Sequence, residues 1–157
     1  MLGTIGIVER IWSEKDLKTD EGEPAFGLYR RSSHAIVFCR GYTQERVRSF
    51  MSRSRDGRYS TKSEYHPYRH EIGHAIWEYY KEYDCKFLER MNEVYLKFFE
   101  YSHEGEEQLS EYATENASEM FAEAIAEILE GSPRELALAI LKQAIGRSYD
   151  DVFPNDG

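Results

Sequence analysis

Positions 69–77 read Arg-His-Glu-Ile-Gly-His-Ala-Ile-Trp. His70 and His74 are four residues apart. An α-helix turns by about 100° per residue, so positions i and i+4 share a face and both imidazoles can reach one ion. Zinc accepts neutral imidazole nitrogen at about 2.0–2.1 Å in a tetrahedral site. Glu71 stands one step round the helix. From there it reaches a water beside such an ion without joining the ligands, and it can take that water's proton and pass it on. The competing reading is a helix with two satisfied or surface histidines.

A catalytic zinc site uses three protein ligands and keeps a further position open. Ala75–Tyr80 reads AIWEYY, so no third histidine follows at the spacing of an extended H-x-x-G-x-x-H motif. His34, His66 and His103 have no spacing that argues for them. The segment 112–123, YATENASEMFAE, is the better candidate. Glu115, Glu119, Glu123 and Glu127 recur every four residues and would form one carboxylate row on a helix. Like charges at that spacing repel by roughly a few tenths of a kcal/mol per pair, and a cation beside them would relieve it. With Glu119 as ligand, Glu123 one turn later would accept the second N–H of a ligating imidazole. Two other readings stay open. Asn116-Ala-Ser-Glu119 has the form of a capping box, in which Glu119 folds back on its own helix start. The row can equally be a solvated face.

These residues need elements to carry them. Residues 13–25 are polar, with Gly22 and Pro24, and read as a loop. Phe26–Tyr42 holds two apolar, β-branched and aromatic runs around a turn-like Arg30–Ser33, which predicts a β-hairpin. Residues 43–51 read as a short helix and 52–64 as a mobile loop able to cover a cleft. Helices are expected over 68–83, 85–102 and 116–130, the second with a buried stripe of Phe87, Met91, Val94, Leu96 and Phe98. Ser132 is placed to cap a fourth helix, with Pro133 at its first position and Gly146 near its end. The class is α+β: a small sheet first, then a run of helices.

Composition narrows the setting. The chain has 157 residues, which fits a single domain spanning 1–157. With 31% charged residues and no long apolar run, no membrane partner is expected. The net charge of -9 argues against nucleic acid. The charge is unevenly spread. Residues 40–69 hold eight Lys or Arg against three Asp or Glu, and residues 70–130 hold four against sixteen. This reads as solvated acidic helix faces plus a basic loop, or as a basic border to a cleft. No secretory signal is read in the first residues, so the expected location is the cytoplasm. Cys39 and Cys85 are expected as two thiols, with a single bridge left open.

The two motifs together, HEIGHA followed by EYATENASEMFAEAIAEI, resemble the catalytic domain of anthrax lethal factor and its relatives. These are zinc peptidases of the gluzincin type, with two histidines and one glutamate on the metal. The chain is also similar to the secreted proline-specific endopeptidases of clostridia. The likeness spans residues 26–130 in layout and is specific at the two motifs, with 45 residues from His74 to Glu119. It implies a zincin-like fold in which His70, His74 and Glu119 hold Zn2+ and Glu71 is the general base. It also implies that Tyr112 donates a hydrogen bond to the oxyanion. Glu123, four residues past Glu119, would orient a ligating histidine. The substrate would be a protein or peptide, lying along an edge strand that His34–Tyr42 would supply. Two alternatives are weighed against a general endopeptidase. One is a regulator that cuts a single cognate partner. The other is a zinc-stabilised binding module of a phage or mobile element, its site closed by His66 or His103 as a fourth ligand.

Overall fold

The computed structural model describes residues 10–145. Ala35–Cys39, AIVFC, is the most β-prone run in the chain, and it becomes the central strand. Among the described residues the strands are β1 (Arg10–Glu14), β2 (Gly27–Arg30) and β3 (Ala35–Cys39), in the order β1-β3-β2. β2 and β3 form the expected antiparallel hairpin, with Leu28 opposite Val37. β1 runs parallel to β3, with Trp12 opposite Val37. Its last two residues fall in the stretch 13–25 read as loop, because RIWSE carries little strand signal until it pairs with a partner some twenty-five residues away. With β1 on one side and β2 on the other, β3 has no free edge. The expectation that residues 34–42 supply the edge strand is therefore corrected: β2 is the edge on the side of the site.

The helices are α1 (Gln44–Arg53), α2 (His66–Tyr83), α3 (Phe87–Tyr95), α4 (Glu104–Gln108), α5 (Ala117–Glu130) and α6 (Glu135–Ile145). The architecture is thus α+β, a three-stranded sheet and then helices. Ile36 packs with Ala75 of α2 on one face of the sheet. Val37 and Cys39 pack with Leu17 on the other, the alternation of a strand covered on both sides. The main core lies among α2, α3, α5 and α6, around Trp77, Phe87, Met91, Phe121 and Ile140.

Two local expectations shift. The stripe of α3 holds at Phe87, Met91 and Val94, but Leu96 is 38% exposed and Phe99 is buried. The chain widens into a π-helical turn at Leu96–Glu100, closed by Tyr101 N–H on the Leu96 carbonyl, and the extra residue rotates Phe99 inward. Ser132 does not cap the last helix. Arg134 stands at that start, its carbonyl accepting from Leu138 N–H and its own N–H donating to Glu127. Gly146 lies outside the described residues. Cys39 is buried, Cys85 is exposed, and both are free thiols. No described helix is long and apolar enough to cross a membrane.

α2 crosses α5 at very close range. A β-carbon on Gly73 would lie 2.6 Å from the Ala122 Cα and 3.0 Å from its carbonyl oxygen. Both obstacles are backbone, so no side-chain rotation makes room. Gly73→Ala is expected to force the helices apart and cost about 1–3 kcal/mol, the range for overpacking. A thermal melt of the metal-free variant that overlays the parent's would contradict this crossing.

Candidate metal centre

The close crossing sets the imidazoles of α2 against the carboxylates of α5. His70 Nε2 lies 2.8 Å from Glu119 Oε2, His74 Nε2 lies 3.3 Å from the same oxygen, and the two Nε2 atoms are 3.0 Å apart. His70, His74 and Glu119 are therefore close enough to hold one metal ion. All three sequence-expected ligands meet at one point, although 45 residues separate His74 from Glu119.

The capping reading of Glu119 is half right. The Asn116 side chain does accept Glu119 N–H at 3.0 Å and caps α5. The Glu119 carboxylate does not fold back on the helix start, because it bonds to the histidines instead. The carboxylate row is not a solvated face either. Glu123 is fully buried and Glu127 nearly so. Glu123 Oε1 accepts from His70 Nδ1 at 2.8 Å, so Glu123 sits where a histidine-orienting carboxylate was expected. Glu127 is taken by Arg134, and Glu115 pairs with Arg58.

His74 is oriented from its other nitrogen, with Nδ1 3.2 Å from Ser118 Oγ. Glu71 accepts the Tyr29 N–H of β2 at 2.7 Å, which turns its carboxylate toward the edge strand. The Tyr112 ring stands 5.5 Å from the His70 ring, and the Arg58 guanidinium carbon lies 5.1 Å from its centre. His70, Glu71, His74, Tyr112 and Glu119 line one groove of about 1110 Å³, which Gly27–Ser32 also line.

Electrostatics follow from this packing. Burial opposes charge on His70, but hydrogen bonds to Glu119 and Glu123 outweigh it and push its pKa up to about 10. Burial likewise opposes charge on Glu119, and the His70 and His74 contacts pull it down to about 2. Burial raises the Glu71 carboxyl above its ordinary value, against the pull of His74, His70 and the Tyr29 N–H. Burial and then the charges of Glu119 and Glu115 push the Tyr112 phenol well up, so it stays protonated.

His66 has no argued spacing in the sequence and entered there only as a possible closing ligand. It stands four residues before His70, the same step that joins His70 to His74, but a helix taken to begin after Pro67 hides that step. α2 begins at His66 itself, and His66 Nε2 lies 2.8 Å from Glu123 Oε1. His66 therefore faces the Nδ1 side of His70, away from the three ligand atoms. His103 is exposed at the start of α4. The segment 54–65 is not a free cover for the cleft. Ser60 donates from its N–H and its hydroxyl to Glu123, and the carbonyls of Gly57 and Arg58 accept from Glu111 and Tyr112 N–H.

The chain matches no protein-family model, no curated protein and no solved structure.

An ion held by these three side chains would take the place of the proton that His70 Nε2 shares with Glu119. Titrating zinc chloride into the metal-free protein near neutral pH is expected to release about one proton per ion bound. At free metal a hundredfold above Kd, the stability gain is about 2.7 kcal/mol, visible as a higher Tm. Calorimetry in two buffers of different ionisation heat reads the proton count. Zero protons and an unmoved Tm would count against a metal site.

Proposed function

We propose that this chain is a zinc-dependent endopeptidase with a zincin-like, lethal factor-like catalytic fold, acting on a protein or peptide. The observation that carries the reading is the triangle of His70 Nε2, His74 Nε2 and Glu119 Oε2, with edges of 2.8, 3.0 and 3.3 Å. A tetrahedral site with bonds of about 2.0–2.1 Å has ligand atoms about 3.3 Å apart, so small outward movements accommodate zinc. Two imidazoles and one carboxylate are a donor set that zinc takes readily, and each ligating imidazole already has a partner for its other nitrogen.

When bound, zinc supplies a Lewis acid that polarises a peptide carbonyl and lowers the pKa of water. The remaining work belongs to the chain. Glu71, with its raised pKa, takes a proton from water and returns it to the leaving amine. Tyr112, protonated throughout, donates a hydrogen bond to the carbonyl oxygen as charge develops there. The outer edge of β2 runs along the groove and offers main-chain groups to an extended peptide.

Access favours an enzyme over a closed binding module. The His74 and Glu119 side chains are 21% and 18% exposed and open into the groove. His66 is committed to Glu123 and His103 is exposed elsewhere, so neither supplies a closing ligand.

Glu71→Gln is expected to bind zinc like the parent and to lower kcat/KM by about 10²–10⁴-fold. Tyr112→Phe is expected to lose about 10²–10³-fold, mostly in kcat. Cleavage of a quenched-fluorescence peptide library reads both. Equal rates for parent and Glu71→Gln would sink the mechanism. A parent that ignores the library but cuts one cognate protein would narrow the reading to a dedicated regulator.

A further inference from the structure

The Glu123 carboxylate is fully buried and accepts four hydrogen bonds. Oε1 takes His66 Nε2 and His70 Nδ1, each at 2.8 Å. Oε2 takes Ser60 N–H at 2.7 Å and the Ser110 hydroxyl at 2.8 Å. A carboxylate that accepts at both oxygens has no proton to give, so both imidazole nitrogens facing it carry hydrogen. With hydrogen held on Nδ1, Nε2 is the His70 nitrogen that faces Glu119 and His74 and that an ion would take in place of its proton.

His66 completes the same logic one step back. With hydrogen on Nε2 its acceptor is Nδ1, which lies 3.2 Å from the Thr61 hydroxyl. The chain of donors runs Thr61 Oγ1 to His66 Nδ1, and His66 Nε2 to Glu123 Oε1, where it meets His70 Nδ1. His66 is 2% exposed, and its ring packs 5.4 Å from that of Tyr59. If His66 is removed, Oε1 keeps one donor, and the oxygen that anchors His70 loses its second fixed point.

We propose that His66 is a positioning residue for the metal centre: it holds Glu123 Oε1 in place and, through it, aims His70 Nε2 at the ion. This rests on the metal centre of the proposed function but not on peptidase activity. The same three side chains, His66, His70 and Glu123, also lie close enough for an ion of their own. The four satisfied bonds on Glu123 favour the relay.

The test is zinc affinity and stoichiometry, measured by competition with a chromophoric chelator, alongside far-UV circular dichroism. His66→Ala is expected to keep its helical spectrum and bind zinc about 10–100-fold more weakly, the range for losing a partner of a ligating histidine. His66→Gln, whose amide N–H can reach Glu123, should recover most of that. Parent-like affinity in His66→Ala, or no recovery in His66→Gln, overturns the proposal. So does a parent that binds two zinc ions and loses one in His66→Ala, since that outcome makes the cluster a second metal site. Should His66→Ala fail to fold, nitrogen-15 NMR of the zinc-loaded parent decides. His66 and Nδ1-protonated His70 should both appear as single fixed tautomers, His66 with hydrogen on Nε2, and any other His66 tautomer overturns the role. A parent that takes up no zinc at all would instead remove the metal centre, and this role with it.

Discussion

Gly73 of α2 and Ala122 of α5 meet with no space for a β-carbon between them, and the distances at the candidate centre depend on that contact. α2 carries His66, His70 and His74, and α5 carries Glu119 and Glu123. An imidazole and a glutamate have short, fixed reach. Bonds of 2.8 Å from His70 to both glutamates require the two helices at one separation and one rotation. A larger side chain at the crossing would stretch all of these bonds together. The core below keeps the helices there, with Trp77 of α2 against Phe87 of α3 at 4.9 Å and against Phe121 of α5 at 5.8 Å.

The same helix carries three carboxylates into the interior at successive turns, which is unfavourable unless each meets compensating charge or hydrogen-bond donors. Each has a different solution. Glu119 meets the histidine pair, Glu123 accepts four donors, and Glu127 is held by Arg134. Arg134 also reaches the carbonyls of Ser60 and Leu109. Segment 54–65 is therefore tied to α5 twice over, once through Glu123 and once through the Glu127–Arg134 pair. The candidate ligands rest on a polar layer, and no buried side-chain polar atom among the described residues lacks a hydrogen-bond partner. Preorganisation of this kind is what a metal site needs, because ligands that must reorder on binding give up affinity.

The sheet contributes position rather than chemistry. β3 is covered on both faces and paired on both sides, so it cannot shift. It presents β2 at a fixed height above α2, where the Tyr29 N–H meets Glu71. The proposed base is thus oriented from the sheet, while the ligand atoms are oriented from the helices. Phe26, Phe50 and Tyr59 continue the groove wall away from the ligand atoms and give it an aromatic character.

Much of this was legible without coordinates. The His70–His74 pair on one helical face, the Asn116 cap, the β2–β3 hairpin and the α+β order all follow from periodicities of about 3.6 or 2 residues and from cap chemistry. Those signals are local, so the sequence alone carries them. Other features depended on packing. The parallel pairing of β1 moved the sheet edge from β3 to β2, and a π-helical turn exchanged Leu96 for Phe99 in the core. The assignment of Glu119 to Nε2, Glu123 to Nδ1 and Glu127 to Arg134 came from how α2, α5 and α6 lie against one another. Four glutamates at equal spacing are chemically the same in the sequence. Only the position of the second helix, set by a glycine too small to hold it away, makes them different.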